Sequence, residues 1–329
     1  MNEQQLRVIK LTNSNGLELE ISNFGATIIG LKILDKNQNL INVVASLEAA
    51  EDYTKQFYTD KGLYLGATVG RYAGRISKGS FKINEEVYPI ANKNGVHLHG
   101  GEIGFDKKYW KVESFNEGLN SQVTLSYISN HLEEGYPGNL KTYVTYNLSE
   151  QNEVKIIYKA KTDKETFVNL TNHSYFNLNG KDTVLDHKLM IHSLSYLDVN
   201  EQLIPSGKLI DSLNTRFDRN ELSLLGRKDF TGFDDTFVLG EENLKAILVS
   251  PKTGIQMEVY TNQPASVVYT PVQLPTLAYK NGVNFSNFSA ICFETQNFPD
   301  APNNNNFPSS ILKPGDEYLN ETIFKFSVI

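Results

Sequence analysis

Two side chains in this sequence sit where proton transfer is possible. His173 lies within Asn172-His173-Ser174-Tyr175-Phe176-Asn177-Leu178, and Glu294 within Cys292-Phe293-Glu294-Thr295-Gln296. Both segments read as strand ends. Imidazole titrates at about 6.5 and a glutamate at about 4.3, so one can donate while the other accepts. One donor and one acceptor are the minimum for opening and closing a cyclic hemiacetal. A carboxylate in the apolar run that starts at Ala290 is costly unless paired or functional. Alternation turns Ile291 and Phe293 to one face and Cys292, Glu294 and Gln296 to the other. The same alternation groups Asn169, Thr171, His173 and Tyr175. The chemistry requires the two segments to meet across one cleft. A carboxylate beside His173 is expected to raise its pKa and to give a bell-shaped rate profile around neutrality.

Other motifs offer different chemistries. Gly66 to Ile76 (GATVGRYAGRI) is rich in glycine but lacks the order of a phosphate loop, and no helical pattern follows it. Arg71 and Arg75 lie four apart, so on one strand both would face the same way. His97-Leu98-His99-Gly100-Gly101 would put two imidazoles on one strand face, with Glu102 or Asp106 as a third metal ligand. A polar contact to substrate is the competing reading. Phe233-Asp234-Asp235-Thr236-Phe237 places two acids at a turn before a strand. His131, His187 and His192 are expected at the surface or in the core, and Trp110 as a core anchor.

The elements that must position these groups are strands. Leu17-Glu18-Leu19-Glu20-Ile21, Val123 to Ile128, Tyr143 to Leu148 and Ile255 to Tyr260 alternate apolar and polar residues. Only Leu47 to Tyr53 reads as a helix, capped by Ser46. Asn303 to Asn306 reads as an exposed loop. The pattern predicts antiparallel sheets packed face to face, with no doubly wound parallel sheet. The chain has 329 residues, no linker and no internal repeat, so one domain over 1–329 is expected. A net charge of −7 without a basic cluster argues against nucleic acid. The single cysteine, Cys292, excludes an internal disulfide. The N-terminus lacks a signal-peptide pattern and no run is long enough to span a membrane, so a cytoplasmic location is expected.

Taken in order, the motifs resemble the aldose 1-epimerase (galactose mutarotase) family. The matching pieces are Gly66 to Phe81, Leu98-His99-Gly100-Gly101 with Gly104-Phe105-Asp106 and Trp110, and Gly135-Tyr136-Pro137-Gly138. Asn172 to Leu178, Asp234 within GFDDTF, Phe293 to Asn303, and Pro314 to Tyr318 complete the set. The resemblance implies a β-supersandwich with an open sugar cleft and no cofactor or metal. It implies His173 as general acid and Glu294 as general base, with Arg75, His99 and Asp234 binding substrate. Free aldoses such as galactose and glucose are the implied partners, for a monomer or weak homodimer. Two positions depart from the family pattern. Gly74 stands where the family commonly has Asn, and Asp235 where it usually has His. The first removes a substrate hydrogen bond, and the second sets a carboxylate beside Asp234. Three alternatives stay open at this point. One is a hexose-6-phosphate 1-epimerase using Arg71 and Lys78, another a non-catalytic carbohydrate-binding protein, and the third a metal-dependent jelly-roll oxygenase.

Overall fold

The computed structural model describes residues 5–228 and 230–329. The alternating segments become strands, and every pairing between these strands is antiparallel. Leu140–Leu148 shows why: Leu140, Thr142, Val144, Tyr146 and Leu148 are buried, and the residues between them are not. Glu153–Thr162 repeats the pattern beside it. These two strands belong to a nine-stranded sheet that also takes in Tyr318–Val328 and Ile255–Thr261. A four-stranded sheet, Val8–Thr12 to Leu40–Asn42, covers the N-terminal side.

The site rests on a six-stranded sheet. Its order is Tyr175–Phe176, Ile291–Gln296, Ala265–Tyr269, Asp234–Leu239, Ser193–Val199 and Pro205–Asp211. One face carries Phe237, Val268 and Phe293, which join Val144, Met257 and Phe324 of the large sheet in one core. Each fully buried aromatic or aliphatic side chain there contributes about 1.5–3 kcal/mol. The opposite face carries Asp234, Thr236, Val267, Tyr269 and Glu294, aligned by the pairings Asp234–Tyr269 and Val267–Glu294. The expected antiparallel β-sandwich is therefore what the chain forms.

Several local expectations fail, each for a physical reason. The helix predicted over Leu47 to Tyr53 is a 3₁₀ turn at Ala50–Thr54 followed by one α-turn at Gln56–Thr59. Ser46 does not cap it and instead accepts a hydrogen bond from Asn42. The segment bearing His173 is not one strand. Thr171–Asn172 pairs with Thr68–Val69, and Tyr175–Phe176 pairs with the strand of Glu294. Asn169 and Thr171 accordingly brace that strand through Asn297 and Thr295. Arg71 and Arg75 are likewise separated by coil. The Asn303–Asn306 run is only half exposed, because Asn303 and Asn304 bond Asp300. Among the described residues no helix is long and apolar enough to cross a membrane.

Candidate active site

His173 and Glu294, 121 positions apart in sequence, meet on the floor of a cleft of about 280 Å³. His173 Nε2 lies 3.3 Å from Glu294 Oε1. The two residues are 4% and 2% exposed. His173 is held by its backbone, whose N–H donates to Ala67 and whose carbonyl accepts from Gly66, both at 2.9 Å. Gly66 has φ +71°, and a Cβ there would lie 2.0 Å from the Ile28 carbonyl oxygen, so only glycine allows this approach. Glu294 Oε2 and His173 Nδ1 have no hydrogen-bond partner among the described residues.

Burial decides the protonation of this pair. It lowers His173 to about 4. It raises Glu294 well above the usual carboxylate range; neighbouring Asp234 adds to the rise and Arg75 opposes it. The expectation that a carboxylate would raise His173 therefore fails, because burial lowers the imidazole and also keeps the neighbouring carboxyl uncharged. Above about pH 4, until Glu294 ionises, the pair holds one proton, which rests on the carboxyl.

The other three expected residues stand around the pair. The Gly74 N–H donates to His99 Nδ1 at 3.2 Å, and the Gly74 carbonyl accepts from the His99 N–H at 3.0 Å. This fixes the His99 tautomer with its proton on Nε2. Burial and the neighbouring His173 hold His99 well below its usual range, so it stays neutral. Arg75 Nη2 lies 3.8 Å from Asp234 Oδ2 across the cleft. Burial raises Asp234 and Arg75 counters it. Both are half-buried, so each keeps donors or acceptors for a ligand.

The departures from the family pattern resolve locally. Asp235 points away from the cleft and pairs with Arg216 at 3.1 Å. It also accepts from the Asp234 N–H, while the nearby Asp234 charge adds to the rise that burial gives it and Arg216 opposes that rise. Arg71 is 2% exposed, and its guanidinium donates to the carbonyls of Ser129, Pro137 and Gly138. Lys78 is exposed and outside the cleft. The two basic residues on which a phosphate site was to rest therefore do not line it; Arg75 and Lys61 do. His97 is buried, 2.7 Å from the Tyr136 hydroxyl, and shares no face with His99.

Three tyrosines were not among the expected site residues. Tyr64, Tyr175 and Tyr269 surround His173. Alternation signalled Tyr175 on the face of His173, and pairing with the Glu294 strand positions Tyr269. No sequence signal marked Tyr64.

His99, His173 and Glu294 bring three donor atoms within 4.8 Å of one another. The set fits a resident metal poorly. Metal-bound histidines have their second nitrogen fixed as a donor to a carbonyl or carboxylate. His99 Nδ1 instead accepts from Gly74, and His173 Nδ1 has no partner among the described residues.

The chain has relatives among known proteins. A family model described as aldose 1-epimerase matches residues 7–325. Galactose mutarotase of Homo sapiens is 41% identical, over 96% of this chain and 92% of its own. Aldose 1-epimerase of Haemophilus influenzae is 36% identical, over 97% and 95%. An aldose epimerase homologue from C. elegans superimposes with a TM-score of 0.91 at 28% identity, covering 99% of this chain and all of that one. A galactose 1-epimerase structure from Lactobacillus acidophilus gives 0.87 at 29%, covering 100% and 96%. The fold and its relatives define a carbohydrate-acting isomerase. The chain belongs to the aldose 1-epimerase family.

Proposed function

We propose that His173 and Glu294 interconvert the α- and β-anomers of free hexoses such as galactose and glucose. Glu294 takes the proton of the C1 hydroxyl, and His173 gives its proton to the ring oxygen. The bond between C1 and the ring oxygen breaks, and the C1 carbonyl forms. Rotation about C1–C2 presents the other aldehyde face, and reversed proton transfers close the ring. The 3.3 Å approach of the two groups carries this reading, because both reacting oxygens are bonded to one carbon.

The electrostatics set where the pair's proton rests. Once the ring has opened, Glu294 holds the proton and His173 is neutral. Burial favours the same uncharged placement in the free site, so the Glu294 proton crosses the 3.3 Å gap to His173 before the ring opens. Each positioned transfer contributes about 10²–10⁴ in rate. Arg75, Asp234 and the Nε2–H of His99 orient the sugar hydroxyls.

The test is polarimetry with freshly dissolved α-D-galactose or α-D-glucose. His173→Ala and Glu294→Ala are each expected to abolish nearly all activity; wild-type rates in either would overturn the roles. Glucose 6-phosphate in parallel tests the phosphorylated alternative, which the engagement of Arg71 with main-chain carbonyls disfavours. Action of residues 1–329 as one unit, a cytoplasmic location, and a monomer or weak homodimer belong to the same proposal. Limited proteolysis, fractionation and light scattering test them.

A further inference from the structure

The acid in this site has an environment its sequence did not announce. Tyr64 lies nearly parallel to the His173 imidazole, with centroids 5.7 Å apart and planes at 23°. Tyr175 is also nearly parallel, at 5.0 Å and 17°. His99 and Tyr269 meet His173 by their edges, at 5.4 Å and 6.3 Å.

The fold holds Tyr64 in place at some cost. Its φ is +54°, a left-handed conformation uncommon for an aromatic residue. Tyrosine hydroxyls clamp the residue on each side. The Tyr175 hydroxyl donates to the Leu63 carbonyl at 2.6 Å, and the Leu65 N–H donates to the Tyr58 hydroxyl at 2.8 Å. The Tyr64 carbonyl accepts from Ala67, whose own carbonyl pairs with His173. The Tyr64 hydroxyl makes no hydrogen bond among the described residues, so the ring is what the clamp presents.

We propose that Tyr64 is a positioning residue: with Tyr175 it fixes the plane of the His173 imidazole and stabilises its protonated form through the electron-rich ring face. This rests on the acid role given to His173. Aromatic faces attract cations, most strongly when water is excluded. His173 needs such help. Its nearest titratable neighbour is Glu294, with Asp234 and Arg75 farther off. Neutral His99, Tyr175 and Tyr269 complete its surroundings, and Asp106 lies behind Tyr64.

The experiment compares Tyr64→Phe, Tyr64→Leu and Tyr64→trifluorophenylalanine in the full chain. The last keeps the shape of phenylalanine and withdraws charge from its face. Tyr64→Phe is expected to keep kcat and the pH profile within about twofold. The trifluoro variant and Tyr64→Leu are expected to lower kcat by about two- to thirtyfold, leaving KM within about threefold. They should also move the acid limb of kcat/KM down by about 0.4–1.5 pH units. The isosteric trifluoro variant decides the matter if Tyr64→Leu folds poorly. An unchanged kcat and acid limb in it, relative to Tyr64→Phe, overturns the proposal, as does a loss confined to KM. Inactive His173→Ala alongside normal Tyr64 variants would fault this inference alone. Active His173→Ala would fault the acid assignment itself.

Discussion

Replacing Glu294 by glutamine isolates the charge state of the buried carboxyl. Glutamine matches the shape of a protonated glutamic acid and cannot ionise. In the unfolded chain Glu294 loses its proton above about pH 4.5, whereas burial keeps the proton on in the fold. The folded state then binds one proton more, so this group's contribution falls by about 1.4 kcal/mol for each unit of rising pH. It stops falling only when the folded carboxyl ionises. The histidine and all other groups occur in both proteins and cancel in the difference. The gap in unfolding free energy should therefore move in favour of Glu294→Gln by up to about 2.3 kcal/mol between about pH 4.5 and 6.5. Urea unfolding of both proteins across that range measures it. The same variant should lose about 10²–10⁴ in epimerase rate, with its fold intact. A gap that stays constant within about 0.5 kcal/mol would refute the reasoning, because the carboxyl would then ionise normally in the fold.

Other outcomes follow from the same geometry. Below a pH of about 4 His173 takes up a second proton while Glu294 keeps its own, so no base remains. kcat/KM should fall tenfold per unit there, and an acid limb near the ordinary histidine value of about 6.5 would contradict the burial argument. Arg75→Ala should reduce kcat/KM by about 10- to 100-fold, from a lost charged hydrogen bond, and Arg75→Lys should restore little; steady-state polarimetry reads both. Arg216→Ala leaves Asp235 without its cation and should cost about 1–3 kcal/mol in urea unfolding, against a smaller loss in Asp235→Asn. Cys292→Ser should keep its rate constants while losing about 1–3 kcal/mol, because a hydroxyl replaces a thiol in the core.

Strand alternation made the sandwich legible and set Glu294 on the face opposite Phe293, because its strand is long and regular. The same reasoning misled around His173. There the chain forms two-residue strands joined by bends, and faces cannot be propagated through coil. Arg71 and Arg75 show this best. Four residues apart, they were read as sharing a face, yet one is enclosed by carbonyls and the other reaches the cleft. The cation that pairs with Asp235, Arg216, is 19 residues away and invisible to local pattern. Histidine protonation was misjudged for a different cause. A sequence shows which charges neighbour a group, but the degree of enclosure that outweighs them exists only in the fold.

In the proposed reaction the buried imidazole and carboxyl reset themselves. One proton moves from acid to sugar while another moves from sugar to base, and reclosure returns both, whichever anomer entered. The proposed steps need no exchange with bulk water, so buffer concentration should not limit the rate, and the site ends each proposed cycle ready for either direction.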